Sequence, residues 1–282
     1  MERSPEKQSP SGRCAYCRSE KKLVFSHAIP KAAFRPLLAA GSGNAIGIPD
    51  REGVVHRTTD TGEIPMLCME CEGKFNRRFD GPLSNVLKRL EKAILAGSAT
   101  PLIEFSADQL AHAIVAVAWR ISRSPAKMYQ KVNLNAGHLR ELEAVLSLPT
   151  EQVLRSCTVR IARLTDPLAQ TGEGFNQSVM GQLIKTPEVF TMKSKKGSPR
   201  GFAMDWTMFG FLIHLVVPRL PFATNKKFGG LKRGSMKVRA MPVNILEYAP
   251  LRDAMVAGVA AQEEGRMTAS MRDRALRKQR SR

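Results

Sequence analysis

Two short cysteine pairs, Cys14-Ala15-Tyr16-Cys17 and Cys68-Met69-Glu70-Cys71, constrain this chain more than any other feature. A Cys-x-x-Cys pair turns two thiolates to one side of the backbone, and two such pairs make a tetrahedral set for one zinc ion. Fifty residues, 18 to 67, separate them. That gap is longer than in a simple zinc ribbon, so the spacing predicts a metal that clasps a small subdomain. The other reading, two disulfides, needs an oxidising compartment. The first thirteen residues are polar and lack the apolar core of a secretory leader. The expectation is therefore structural Zn²⁺ at Cys14, Cys17, Cys68 and Cys71 in a cytoplasmic protein. Cys157 has no partner left and reads as a buried thiol.

Between the pairs, Leu23-Val24-Phe25 reads as a short strand that ends at Ser26-His27, with Pro30 stopping regular pairing. Lys31 to Ala40 suits a turn or two of helix, and Gly41 to Arg51 a surface loop. Val54 to Thr59 is β-branched and reads as a strand, Asp60-Thr61-Gly62 as a turn, and Ile64 to Leu67 as the return to the second pair. After Cys68, Leu67, Cys71, Phe75 and Phe79 recur every four residues and predict a helix with one apolar face. Glu72, Asn76 and Asp80 recur at the same interval on another face, and Gly81-Pro82 is expected to end the helix.

Further along, helices are expected over Ser84–Ala96, Ala107–Ser122 and Gly137–Leu148. The second is apolar nearly all round, which marks it as central, and Ser106 is placed to cap it. Arg120 and Arg123 on it are suited either to phosphate or to an acidic partner. From Cys157 the pattern turns to strands: Cys157–Leu164 alternates, Glu188–Met192 follows, Phe202–Val217 breaks into two strands at Gly210, and Lys237–Ile245 is a last strand. Phe228-Gly229-Gly230 reads as a loop. The expected class is α+β, in four parts: a zinc-clasped unit over 1–82, helices over 83–155, a small basic β-sheet region over 156–250 and a basic tail over 251–282.

Charge is the second strong signal. The net formal charge is +19, with twelve Lys or Arg between Lys185 and Arg239 against two acids, and six among the last twelve residues against one. Such an excess attracts polyanions. No run of eighteen apolar residues exists, so no membrane span is expected. With two cysteine knuckles in the same chain, nucleic acid is the favoured partner. The turns at Lys193–Lys196 and Lys226–Arg233 are candidate phosphate contacts. A protein partner or a homo-oligomer is also compatible with the sequence.

Cys14-x-x-Cys17, Ser26-His27-Ala28-Ile29-Pro30-Lys31 and Leu67-Cys68-x-x-Cys71-Glu72 together resemble the HNH endonuclease superfamily, in the bacterial and phage branch that reads Ser-His-x-Ile-Pro-Lys and then Cys-x-x-Cys-Glu. Ala118-Trp119-Arg120-Ile121-Ser122 is similar to a Trp-Arg helix that follows in that branch, so the likeness spans about residues 14–125. It implies a ββα-metal finger, hydrolysis of phosphodiester bonds in double-stranded DNA, and a single Mg²⁺ or other divalent ion. It also implies His27 as the general base. A histidine near its natural pKa accepts a proton at neutral pH, and a divalent ion polarises a phosphoryl oxygen.

Three positions depart from the commoner pattern: Ser26 where many members have Asp, Glu63 where many have Asn, and Glu72 where many have His or Asn. Hard cations take oxygen ligands, so Glu72 is the first choice of ligand, Asn76 the second and Glu63 the third. Glu72 and Asn76, four apart on a helix, can converge on one ion. Asp80 lies about 12 Å along the axis from Glu72 and is expected to orient a neighbour or touch the next element. The rival reading is the same zinc finger with its catalytic ligands lost, acting as a DNA-binding or regulatory protein. His56 is placed to face the site or solvent; His112, His138 and His214 are assigned no chemistry.

Overall fold

The structure, a computed structural model, describes residues 9–40, 45–47, 56–172, 174–193 and 199–265. The expected loop at 41–51, the basic turn at 193–199 and the tail beyond 265 therefore lie wholly or mainly outside the described residues, as does the side chain of His56. The fold is α+β. Among the described residues no helix is long and apolar enough to cross a membrane.

The N-terminal part runs β1 (Ser11–Arg13), β2 (Glu20–His27), α1 (Lys31–Ala40), β3 (Ala45–Gly47), β4 (His56–Thr58), β5 (Glu63–Cys68) and α2 (Met69–Phe75). β2 lies between β1 and β5, antiparallel to both, and its last residue, His27, stands opposite Glu63. α2 begins directly after Cys68 and packs on β2 and β5. Leu67, Cys71, Phe75 and Phe79 are all buried, as the four-residue recurrence requires.

The expected helix end at Gly81-Pro82 is a correction. α2 passes through a π-helical turn, Asn76–Asp80, straight into α3 (Gly81–Leu95). Gly81 is right-handed helical and donates its N–H to the Asn76 carbonyl, five residues back. The wider turn shifts the ladder where Pro82 has no N–H to give, so the proline sits at the start of α3 without breaking the rod. It also realigns the polar face. A four-residue step on an α-helix advances the face by about 40°, and the wider turn reverses that drift. Glu72, Asn76 and Asp80 therefore stay on one side.

The middle of the chain is β6 (Leu102–Glu104), α4 (Ala107–Arg123), α5 (Ala136–Ser147) and α6 (Val153–Ser156). Ser106 accepts the Gln109 N–H and caps α4 as expected. α4 is buried from Ala107 to Ile121 except at exposed Gln109, the condition its nearly all-round apolar sequence calls for.

The C-terminal part adds β7 (Thr158–Thr165), α7 (Gln177–Met180), β8 (Glu188–Lys193), β9 (Pro199–Met208), β10 (Phe211–Val217), α8 (Phe222–Phe228), β11 (Lys237–Arg239), β12 (Met241–Asn244) and α9 (Ala249–Glu263). The sheet order is β12-β7-β10-β9-β8. β9 and β10 join through Phe209 and Gly210, both at positive φ, a two-residue turn that follows the strand twist. β10 is apolar on both faces. Ile213 and Leu215 join the main core, while Leu212 packs with Met180, Ile245 and Leu251 on the outer side. The loop expected at Phe228-Gly229-Gly230 begins one residue later: Phe228 ends helix α8, left-handed Gly229 caps it, and Gly230 is irregular. The single strand expected over Lys237–Ile245 divides: β11 pairs with β6, and β12 runs parallel to β7. Buried Ala240 is the corner between them.

Candidate functional site

Two features meet on the β2–β5–α2 unit: a sulfur cluster and a polar cleft. The sulfur atoms of Cys14, Cys17, Cys68 and Cys71 all lie within 4.8 Å of one another. Cys17 Sγ and Cys68 Sγ are 3.9 Å apart. A disulfide needs about 2.05 Å, whereas four sulfurs at about 2.3 Å from one zinc stand about 3.8 Å apart. The cluster fits the metal and not the disulfide. The backbone serves it: Cys68 N–H donates to Cys14 Sγ at 3.3 Å, and Arg18 N–H closes the first knuckle on the Cys14 carbonyl at 2.9 Å. Hydrogen bonds from Ser19 lower the Cys17 thiol to about 6, while burial and three neighbouring sulfurs push Cys71 up. Four crowded thiols cannot all ionise without a cation between them. This geometry supports a structural Zn²⁺ site.

The first knuckle is tied to the central helix. Tyr16 packs edge-on against Phe75 and Trp119, with centroids 5.1 and 5.7 Å away. Glu143 of α5 accepts from Arg18 at 3.1 Å, from Trp119 Nε1 at 3.2 Å and from Arg123.

Beside the cluster, a cleft of about 260 Å³ is lined by Phe25, His27, Lys31, Glu63, Glu72, Asn76 and Asp80. Every residue expected at the catalytic end is thus in one place. His27 closes β2, and its Nε2 lies 2.8 Å from Thr61 Oγ1. Its Nδ1 lies 3.9 Å from Glu63 Oε1. Burial depresses its pKa, opposed by Glu63 and assisted by Lys31 and Arg120, so the ring is neutral at pH 7. Glu72 accepts from Ser26 Oγ at 2.8 Å and from Asn76 Nδ2 at 3.3 Å. Burial raises its pKa. Among the described residues no cationic side chain stands within ion-pair distance of Glu72.

Asp80, on the same cleft wall, gives its carboxylate to Arg120 of α4. Arg120, fully buried, gives Nη1 to Asp80 Oδ2 at 2.8 Å and Nη2 to Asp80 Oδ1. The same Nη1 reaches the His27 carbonyl at 3.0 Å. Of the two roles open to Arg120 in the sequence, the acidic partner is the one found. The contact Asp80 makes is with α4, beyond α3 and β6, and not with the next element.

Thr61 was legible only as part of a turn. Asp60 Oδ1 accepts the Gly62 N–H at 2.8 Å, and Gly62 sits at φ +71, where a Cβ would strike Met128 Sδ. This turn aims Thr61 at the histidine. Away from the cleft, His112 bonds Thr150 Oγ1 at 3.0 Å and the Leu146 carbonyl at 2.9 Å, and the backbone N–H of His138 donates to Asn135 Oδ1, the cap of α5.

With the oxygen donors of Glu72, Asn76 and Glu63 on its walls, the cleft has the ligand chemistry that a hard divalent cation takes. Comparison with protein-family models, curated proteins and solved structures gives no match for this chain.

Proposed function

We propose that the protein is a metal-dependent endonuclease of the ββα-metal type that hydrolyses phosphodiester bonds in DNA. One observation carries the reading: a buried histidine and a half-buried carboxylate share one small cleft beside a four-sulfur cluster. The expected motif Ser26-His27 contributes to both arms, since Ser26 bonds the carboxylate and His27 is the ring.

Glu72 is the first ligand for a divalent ion, with Asn76 and Glu63 beside it. When bound, such an ion supplies Lewis-acid stabilisation of charge on the phosphoryl and leaving oxygens. His27 takes the proton from the attacking water. Assigning the Nε2 proton to the Thr61 bond leaves Nδ1 with its lone pair toward the Glu63 side of the cleft. Thr61 and the Arg120 contact to the His27 carbonyl hold side chain and backbone of the same residue, which fixes the base in the orientation a proton transfer needs. Lys31, on the cleft wall, is placed for the negative phosphate.

A plasmid-nicking assay with Mg²⁺ or Mn²⁺ tests this. Wild type should convert supercoiled to open-circular DNA, and His27→Ala should lose at least about a hundredfold, the contribution of a general base. DNA binding without metal-dependent nicking would instead favour the inactive-finger reading, which the serine at position 26 keeps in view.

A further inference from the structure

A second surface lies away from the cleft. Between Arg219 and Arg239 the chain has seven Lys or Arg and no Asp or Glu. All but Arg219 are exposed. Among the described residues none of the seven is within ion-pair distance of a carboxylate. Arg160, on neighbouring β7, is half-buried over the Phe228 ring at 5.1 Å and likewise has no acidic partner. Concentrated cations without counter-charges are costly through self-repulsion unless a polyanion relieves them.

The backbone under these charges is pinned at several points. Leu231 N–H donates to the Val159 carbonyl at 2.7 Å, and Gly234 N–H to Asp108 Oδ2 at 2.6 Å. Ala107 N–H reaches the Ser235 carbonyl at 2.9 Å, and Phe105 N–H the Met236 carbonyl at 3.0 Å. Leu231 and Val238 are buried anchors on either side of exposed Lys232 and Arg233. Charges displayed on an already ordered backbone lose little entropy when a ligand docks.

We propose that residues 219–239, with Arg160, form a rigid phosphate-binding strap for duplex nucleic acid, separate from the cleft. The strap is held at the first turn of α4 by Asp108. Arg120, near the last turn, touches the His27 carbonyl. Twelve residues of helix put about 18 Å between those two points along the axis, or about five steps of a duplex at about 3.4 Å each. One bound duplex is long enough to engage both. The strap takes only its choice of ligand from the nuclease reading.

The test is fluorescence anisotropy of a labelled duplex of about 30 base pairs, titrated with the full chain, no divalent ion added, between about 50 and 200 mM salt. A variant with Lys226, Lys227, Lys232 and Arg233 all changed to Ala is compared with one lacking the same charge elsewhere, at Lys88, Lys92, Lys127 and Arg155. The strap variant should bind at least about tenfold more weakly, and its log Kd against log[salt] should flatten by about 2–4 units, at about 0.9 for each phosphate no longer neutralised. The control variant should stay near wild type. Equal losses in the two variants overturn the proposal, because bulk charge then explains them. Unchanged binding in the strap variant overturns it too, as does binding to phosphatidylserine vesicles without binding to the duplex. No cleavage is read, so an inactive His27 site would leave these outcomes intact. Matching zinc content and circular dichroism establish that the variants are folded.

Discussion

Arg120 holds Asp80 end-on through both Nη atoms at the cleft wall, and the arginine nitrogen at 2.8 Å from Asp80 Oδ2 is the one that also reaches the His27 carbonyl at 3.0 Å. The pair therefore couples the end of β2, which carries His27, to the π-helical turn that continues α2, which carries Glu72.

Removing one partner strands a buried charge. Asp80→Ala should cost about 3–5 kcal/mol in denaturant unfolding, because the guanidinium has nowhere to reach water. Replacing both, with Asp80→Leu and Arg120→Met, should recover more than half of that loss. A single change costing under about 1 kcal/mol would show that the pair is solvated in solution.

The sulfur cluster predicts one zinc per chain by elemental analysis. Cys71→Ser should abolish stoichiometric zinc and lower the melting temperature of the whole chain, since metal binding and folding of such a site are one equilibrium. Persistence of full zinc content in that variant would mean that the ion is held elsewhere.

The pH dependence of nicking follows from the burial of His27. Burial lowers its pKa below the ordinary 6.5, so the proton-accepting neutral ring persists at more acidic pH than that of a free histidine. The acid limb of the rate profile should lie below pH 6.5. Lys31→Met removes a cation that favours the neutral ring, and should move the limb upward. A limb centred above 6.5 in wild type, or a downward shift in the variant, contradicts this account.

Glu72→Gln keeps an acceptor for Ser26 but removes the negative charge. The divalent-ion concentration for half-maximal nicking should rise at least about tenfold, while the unfolding free energy changes by less than about 1 kcal/mol, because the bond from Ser26 is kept. An unchanged metal dependence would take Glu72 out of the ligand set.

The four-residue recurrences after Cys68 put Glu72 and Asn76 on one helix face, because local periodicity leaves few alternatives, whereas His27 enters the site reading through the resemblance carried by Ser26-His27-Ala28-Ile29-Pro30. The cap at Ser106 and the Phe209-Gly210 turn were legible for the same reason: their geometry depends on adjacent residues. The π-helical turn was not, since one extra residue in a helix leaves no mark on composition, and Gly81-Pro82 carries the ordinary signature of a stop. The partner of Arg120 lies forty residues away, so only tertiary packing could choose between acid and phosphate. Helix α8 was missed because at seven residues, with Thr224 and Asn225 in its middle, its intrinsic preference is weak.

One buried cluster runs from Cys14 to Ala240, with Phe75, Trp119 and Trp206 in the same body. The four-cysteine arm is consequently no detachable cassette. Cut after residue 82 or grafted onto another scaffold, it would turn Tyr16 and Phe75 out to water where Trp119 had covered them and Phe79 where His112 had, and would leave Asp80 without Arg120.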